Sequence, residues 1–205
     1  MSEVENPEQR ILQAAKQIFY EKGFAGARMQ EISEAAQVNK AMLHYYFRSK
    51  QQLFDRILKE ALDLVIPRLM KHMGSDDPLE EKVKKIVAAY TELLTELPHL
   101  PLFILHVLQT DAHDFFQRMI LGSNYEFQPA LMKFLMQYQQ EAAAGKVKSM
   151  DPRHILINLV SMSVFPFMMK SFLVEILGLS ENDFEEFVGQ RRDIVPQFLM
   201  DGLRP

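Results

Sequence analysis

Residues 28–50 read RMQEISEAAQVNKAMLHYYFRSK, and the pattern of this stretch decides the fold of the first part of the chain. Apolar residues recur at helical spacing in two short runs, over 29–36 and over 40 to about 47. Only Gln37-Val38-Asn39 separates the runs, and so short a connection is typical of a helix-turn-helix. We therefore predict two short helices joined by a tight turn.

A cation lies at or just inside each of three helix starts in this stretch, at Arg28, Lys40 and Lys50. A positive charge at that place opposes the helix dipole and costs roughly 0.3–1 kcal/mol per site. The same helix N-termini are favourable places for an anion to bind. The arrangement therefore indicates a surface that receives anions, and the DNA backbone is the natural one for this motif.

In a helix-turn-helix the second helix enters the major groove of DNA with its N-terminal residues, while the first crosses the backbone. Phenol hydroxyls, which end the second helix here, are common donors to phosphate. The pattern thus predicts a set of DNA-binding residues, namely Arg28, Gln30, Asn39, Lys40, Ala41, Met42, His44, Tyr45, Tyr46 and Lys50. From periodicity alone, a pair of short amphipathic helices that merely packs a core stays open as the alternative.

The charge of the chain is unevenly distributed. The net charge is −4, yet residues 1–50 carry seven Lys and Arg against six Glu, and residues 40–59 carry five cations against one acid. A local basic patch of this kind is what binding to a nucleic-acid backbone requires. The absence of cysteine excludes disulfides and thiolate chemistry, and the acidic, polar N-terminus carries no secretory signal, so we expect a cytoplasmic protein.

The remaining sequence has helical period and no alternating strand pattern, which predicts an all-α fold. A first helix begins at Asn6-Pro7 with Gln9 at the capping-box position and ends at Gly23, and a long helix follows Ser49 and runs to Met73, with Pro67 expected to kink it or end its first part. Further helices are predicted at about 78–96, 101–121, 124–145, 151–178 and 181–201. We divide the chain into a three-helix DNA-binding domain, 1–50, and a larger helical regulatory domain for ligand binding and dimerisation, 51–205.

The stretch from Ile11 to Leu58 resembles the DNA-binding domain of the TetR family of bacterial transcriptional regulators. The motif runs Phe-x-x-x-Gly-Phe, then an isoleucine helix, a valine turn and a recognition helix ending Leu-x-Tyr-Tyr-Phe-x-x-Lys; its residues here are Phe19, Gly23, Phe24, Ile32, Val38, Leu43, Tyr45, Tyr46, Phe47 and Lys50. The resemblance implies that Lys40 and Tyr46 contact phosphates or nearby bases and that Lys50 contacts a phosphate.

Three positions depart from the family pattern. The usual turn glycine is Gln37, which costs about 1 kcal/mol if its backbone is left-handed. A threonine or serine before the first helix of the motif is replaced by Ala27-Arg28, and Ala41 and Met42 stand where small or hydroxyl residues are frequent. These departures leave the predicted fold intact and the operator sequence open.

For the second half, the resemblance implies a ligand pocket and a homodimer formed by the last two helices, 151–201. The sequence agrees on the dimer, because the 151–178 helix is too apolar for one solvated face. The second half has few charged residues in the stretch that is rich in Phe and Met, which favours a small hydrophobic effector. Apolar residues at helical spacing, however, more often belong to an ordinary core. The predicted ligand-binding residues are Phe103, His106, Gln109, Phe116, Tyr125, Met136, Asn158, Phe165 and Met169.

Other kinds of site find little support in the sequence. The uncharged run 155–169 is shorter than the roughly 20 residues that a membrane span needs. His99, His106 and His113, with Asp111 and Asp114 nearby, are spaced too widely along a helix to share a metal ion, so we predict no metal or cofactor. No phosphate loop, nucleophile elbow or catalytic carboxylate pair is present in the sequence, which predicts a protein that is not an enzyme.

The sequence therefore predicts a homodimeric regulator that binds a palindromic operator on double-stranded DNA, most simply a repressor released by a small hydrophobic ligand. Two alternatives stay open. One is a transcriptional activator or a helix-turn-helix protein without a small effector, and the other is a helical protein-interaction module. A promoter fusion in a strain lacking the gene separates repression, which raises transcription on deletion, from activation.

Overall fold

The computed structural model describes residues 6–121, 125 and 127–205, without the side chains of 110–112, 114, 118, 119 and 121. The described residues form α-helices with one π-helical segment at Phe116–Leu121, and the all-α prediction is confirmed. The helices are α1 Pro7–Gly26, α2 Met29–Ala35, α3 Lys40–Tyr46, α4 Lys50–Met73, α5 Leu79–Glu96, α6 Leu100–Phe115, α7 Phe127–Ala143, α8 Pro152–Met168, α9 Lys170–Leu177 and α10 Glu181–Leu203. The predicted helix start at residue 124 lies outside the described residues.

The contacts of the chain define two compact units. Unit 1 comprises Met1–Leu64 with Leu102–Met119, and unit 2 comprises Val65–Pro101 with Ile120–Pro205. Unit 1 therefore reaches beyond the sequence boundary at residue 50, and the first part of α4 packs against α1 through ring contacts of Phe54 with Phe19 and Phe24. The fully buried side chains of this core include Ile11, Ala15, Ile32, Leu43, Leu53 and Ile57.

Local sequence signals set the ends of the helices in unit 1. The side chain of Asn6 caps α1, but it accepts a hydrogen bond from the backbone N–H of Glu8 rather than from that of Gln9. Gly23 has φ 65° and ψ −179°, so the regular helix breaks there, as predicted, and a short helical turn continues to Gly26. Ser49 caps α4 by accepting from the N–H of Gln52 at 3.1 Å, and α4 continues through Pro67.

Unit 2 is built around α5, which packs against α7, α8 and α10. Its core contains the last part of α4 and apolar side chains of the other helices, among them Leu69, Val83, Ile86, Val87, Phe134, Leu159 and Leu199. One charged group lies in this core. The Lys82 side chain is fully buried and its Nζ donates a hydrogen bond to the carbonyl oxygen of Met73, at the end of α4, at 3.1 Å. Burial lowers the pKa of Lys82.

The prediction of one helix over 151–178 is wrong. Asp151 caps its start, Pro152 takes the first position and Gly178 ends it in the left-handed conformation, as expected. However, the segment consists of α8 and α9, which meet at a bend of 71°. Pro166 has no N–H to donate to the carbonyl of Met162. That carbonyl instead accepts a hydrogen bond from Nη2 of Arg191, on α10, at 2.8 Å.

Among the described residues, no single helix is long and apolar enough to cross a membrane, and only the bent pair α8–α9, taken together, meets that test by length and composition.

The hydrogen bond from Arg191 to the carbonyl of Met162 is expected to stabilise the fold. We expect Arg191→Leu to lower the free energy of unfolding by about 1–3 kcal/mol, because the part-buried Met162 carbonyl loses a charged donor that no backbone N–H replaces. Adding Pro166→Ala to Arg191→Leu restores an N–H at the right place and recovers part of that loss. Urea unfolding followed by circular dichroism measures both changes. An Arg191→Leu protein as stable as the original would show that the Met162 carbonyl does not need this donor.

Candidate nucleic-acid interface

The turn between α2 and α3 contains a left-handed residue that is not a glycine. Gln37 has φ 54° and is the only described residue other than glycine with a positive φ. Two backbone hydrogen bonds hold it, from the N–H of Gln37 to Glu34 at 3.1 Å and from the N–H of Val38 to Ser33 at 3.0 Å. The backbone of Gln37 is therefore left-handed, the case for which the sequence indicated a cost, and a glycine there would avoid roughly 1 kcal/mol.

Helix α3 is fixed by two buried anchors and one cap. Leu43 is fully buried and Phe47 is buried just beyond the end of the helix. The Asn39 side chain accepts a hydrogen bond from the N–H of Met42 at 2.8 Å, which caps the helix. The opposite face is open to solvent and presents Lys40, Ala41, Met42, His44 and Tyr45. The structure thus brings most of the predicted DNA-binding residues together on one exposed face.

The other predicted residues around this face differ in exposure. Arg28 takes the N-cap position of α2 but its side chain makes no capping hydrogen bond, so the change from a hydroxyl to a cation leaves the cap unfilled. Gln30 is exposed and donates to Glu34 within α2. Tyr46 is half-buried, whereas the ring of Tyr45 is 81% exposed and meets that of Tyr46 edge-on at 5.3 Å between centroids. Tyr45 is therefore the freer of the two phenols.

Lys50 is held inside unit 1 rather than projecting freely from it. Its Nζ donates hydrogen bonds to the carbonyl oxygens of Phe24 at 2.8 Å and Ala27 at 3.1 Å. The same atom lies 4.4 Å from the centroid of the Phe24 ring. An ammonium has three N–H donors, so at most one is left for a phosphate. Nothing in the sequence indicates these backbone partners, which lie 23 and 26 residues away, and a phosphate contact of Lys50 stays a prediction.

The other cations of residues 40–59 fall into two groups. Arg56 pairs with Glu60 at 2.9 Å and Lys59 pairs with Asp63 at 3.0 Å along α4. Lys40 and Arg48 are exposed and, within the described part of the chain, their side chains form no hydrogen bond or ion pair. Arg28 is free in the same sense. Arg48 was missed as a site residue, although its place directly after the recognition helix was a usable signal.

The predicted ligand-binding residues do not form one cluster in either unit. Four lie in unit 1, where Phe103 is buried and packs its ring against those of Tyr20 and Phe54 at 5.2 and 5.1 Å between centroids. His106 is half-buried against Gly23, so close that a Cβ on Gly23 would lie 2.9 Å from its Nε2. Gln109 and Phe116 are exposed. Phe103 is thus a core residue, because an apolar helical stripe looks the same in sequence whether it lines a pocket or a core.

The other five lie in unit 2. Tyr125 lines a cavity of about 530 Å³ between α4 and α7, and Met136 lines a second cavity of about 660 Å³ on the other side of Pro129 and Lys133. Asn158 and Phe165 are exposed on α8 and Met169 is half-buried at the bend, and none of the three lines either cavity. No group of three or more described His, Asp or Glu side chains could hold a metal ion. The side chains of Asp111 and Asp114 lie outside the described residues.

Comparison with known proteins defines the class to which this geometry belongs. The family model for bacterial regulatory proteins of the TetR family matches residues 11–57. The HTH-type transcriptional regulator RutR of Escherichia coli K12 is 27% identical over 207 residues, covering 95% of this chain and 89% of that protein. The HTH-type transcriptional repressor NicS of Pseudomonas putida is 45% identical over 49 residues, which are 24% of this chain and 23% of that protein.

The fold is shared over the whole chain. The crystal structure of SCO4942 from Streptomyces coelicolor, described as a transcriptional regulator, matches with a TM-score of 0.66 at 20% identity and covers 98% of this chain and 100% of that one. The helix-turn-helix, the all-α fold and the relatives together define a helix-turn-helix transcriptional regulator. Residues 11–57 belong to the DNA-binding domain of the TetR family of bacterial regulatory proteins. The relatives of the chain regulate transcription, and the chain is not an enzyme.

The contrast between Lys50 and Lys40 can be measured on the protein without DNA. We expect Lys50→Met to lower the free energy of unfolding by about 1–3 kcal/mol, because two part-buried carbonyls lose a charged donor. Lys40→Met is the matched control and should change stability by less than about 0.5 kcal/mol, since its side chain is exposed and free. Thermal unfolding by circular dichroism separates the two. Equal stability of both variants would mean that Lys50 does not brace unit 1.

Proposed function

We propose that this regulator is a homodimeric repressor that binds a palindromic operator and is released from it by a small hydrophobic ligand. The observation that carries the proposal is the exposed face of α3, flanked by the free cations Arg28, Lys40 and Arg48. The name of NicS as a repressor, at 45% identity across the DNA-binding segment, supports repression. The proposal includes a cytoplasmic location, where a bacterial regulator would meet DNA.

The proposed contacts with DNA divide into two kinds. Lys40, Arg48 and Arg28 supply mobile cations for phosphates, which position the protein without reading sequence. Ala41, Met42 and His44 lie on the exposed face of α3, where base edges are read in the major groove. Ala41 and Met42 offer apolar contact, which suits the methyl group of thymine. Tyr45, largely exposed, is placed to donate to a phosphate.

The apolar surface of α8, α9 and α10 supports the dimer. Helix α9 has no buried residue although five of its eight residues are apolar or aromatic, and large apolar side chains continue onto both neighbouring helices. Those exposed by more than half are Ile157, Phe165, Phe172, Ile176, Leu177, Ile194 and Phe198. Surfaces of this kind mark interaction sites. All seven lie within residues 151–201, and a second copy of the chain is the proposed partner.

A dimer also matches the symmetry of the operator. Two recognition helices related by a two-fold axis read half-sites about 34–36 Å apart. Helix α4 begins in unit 1 at Lys50 and ends in unit 2 at Met73, so it is the covalent element through which a ligand in unit 2 would shift the two recognition helices. Because the coupling is reciprocal, a ligand that weakens DNA binding is weakened equally by DNA.

The DNA-binding proposal is tested by the dependence of affinity on salt. The operator is first selected from a randomised duplex, and its affinity is then measured by fluorescence anisotropy at several KCl concentrations. We expect Lys40→Ala and Arg48→Ala each to reduce the slope of log K against log[salt] by about one for each protomer bound, because each removes one phosphate contact.

Lys59→Ala is the matched control for this measurement. Lys59 lies close in sequence but pairs with Asp63, so its removal should leave the slope unchanged. Unchanged slopes for Lys40→Ala and Arg48→Ala would exclude this face as the DNA-contacting surface.

The dimer proposal is tested by the mass of the protein in solution. We expect the original protein to show twice the mass of the 23.8 kDa chain by light scattering. Ile194→Glu with Phe198→Glu should shift it to the single-chain mass, because two charges would be buried unpaired in the interface. Gln139→Glu, which adds a charge to an exposed position of α7, should leave the dimer intact. A double variant that stays dimeric would place the interface elsewhere.

A further inference from the structure

The cavity between α4 and α7 has a chemistry more specific than a general hydrophobic pocket. One group of its lining residues is apolar, namely Ile66, Pro67, Met70, Pro129 and Ala130. Gly74 and Tyr125 complete the wall together with two lysines, Lys71 and Lys133. No carboxylate is among these lining residues. The described wall therefore combines apolar surface with positive charge alone.

The two lysines are available to a ligand in different degrees. Lys71 is exposed and its ammonium forms no ion pair or hydrogen bond within the described part of the chain. Lys133 pairs with Asp76 at 2.6 Å, but the Asp76 side chain is 95% exposed. An ion pair in such contact with water is weak. A ligand carboxylate that is partly shielded from water can therefore take the place of Asp76 on Lys133.

A third ammonium strengthens the positive field. Lys82 is fully buried, holds the carbonyl of Met73 next to the cavity residue Gly74, and forms no ion pair with a described residue. The nearby carboxylate of Asp77 is already paired with Lys85 at 2.7 Å. The charged side chains in the described wall of the cavity are Lys71 and Lys133, so an anion entering the cavity would be stabilised.

We propose that this cavity binds an amphipathic carboxylate, whose alkyl chain covers Ile66, Met70 and Ala130 and whose carboxylate pairs with Lys71 and Lys133. This inference rests on the proposed function, since it names the chemical class of the effector. A neutral hydrophobic ligand would leave the Lys71 ammonium without a partner and Lys133 with only the exposed carboxylate of Asp76. A cationic one would be repelled by them.

The charge of the ligand is the first test, by calorimetric titration of the full chain with decanoate, 1-decanol and decylamine. We expect decanoate to bind once per chain, decanol at least about tenfold more weakly, and protonated decylamine not at all. Octanoate should bind about tenfold more weakly than decanoate, because two methylenes leave apolar surroundings. Equal affinities for decanoate and decanol would overturn the proposal.

Variants of the lining residues form the second test. Lys71→Met and Lys133→Met keep the apolar stem and should each weaken decanoate binding about fivefold. Asp76→Asn should strengthen it, because the competitor for Lys133 is removed, and damage to the fold would not produce that result. Lys59→Met in unit 1 is the matched control. An affinity for decanoate that is unchanged in Lys71→Met and in Lys133→Met would overturn the proposal.

The two proposals fail in distinguishable ways. Lysine-dependent binding of decanoate supports the carboxylate site whatever happens to the DNA complex. If bound decanoate leaves the affinity for the selected operator unchanged, the proposed control of DNA binding by this cavity is contradicted. If decanoate does not bind while the operator does, the carboxylate inference falls and the DNA-binding function stands.

Discussion

The DNA-binding unit depends on one interaction, the two hydrogen bonds that Lys50 donates to the carbonyls of Phe24 and Ala27. They tie the first residue of α4 to the junction between α1 and α2. Helices α2 and α3 have seven residues each, and isolated helices of that length are not stable in water. Their positions therefore come from their fixed ends and from the buried anchors Ile32, Leu43 and Phe47. The hydrogen bonds of Lys50 fix the two ends of the segment that holds α2 and α3, and this orients the exposed face of α3.

The same constraint divides the cations of the N-terminal segment by role. Lys50 is used internally and Lys59 is paired, whereas Lys40 and Arg48 are free. A charged side chain that is already paired gains less from a phosphate, because it must give up its first partner. In the proposed DNA complex, a chain with a net charge of −4 would therefore bind the backbone through a few unpaired cations rather than through its total charge.

Local signals in the sequence were sufficient for the starts of three helices. Caps at Asn6, Ser49 and Asp151 depend on neighbouring residues only, and the structure has all three. The sequence raised a left-handed backbone at Gln37 only as a condition, and the structure shows it. The bend after α8 was not predictable in this way. Pro67 leaves α4 continuous, whereas the segment after Pro166 bends towards α9 with a donor supplied by Arg191.

The candidate sites were harder to predict than the fold for a similar reason. Residue type and spacing say which groups lie on one helix face, but whether that face meets solvent, a cavity or another helix depends on distant segments. Phe103 and Met70 are both apolar helical residues, and only packing makes the first a core residue and the second part of a cavity wall. Lys50 was predicted to contact only a phosphate, because nothing in the sequence indicates its hydrogen bonds to the carbonyls of Phe24 and Ala27.

In the proposed regulatory cycle, tight binding of the ligand is not sufficient to release the protein from DNA. A ligand with equal affinity for both states shifts no equilibrium, so the α4–α7 cavity must differ between the DNA-bound and the released protein. A Cβ placed on Gly74 would lie 3.4 Å from the Cβ of Ala130 on α7 and 3.2 Å from the carbonyl oxygen of Met70. The end of α4 is thus in close contact with α7, so in the proposed cycle a ligand whose alkyl chain fills the cavity would act on α4 at this contact.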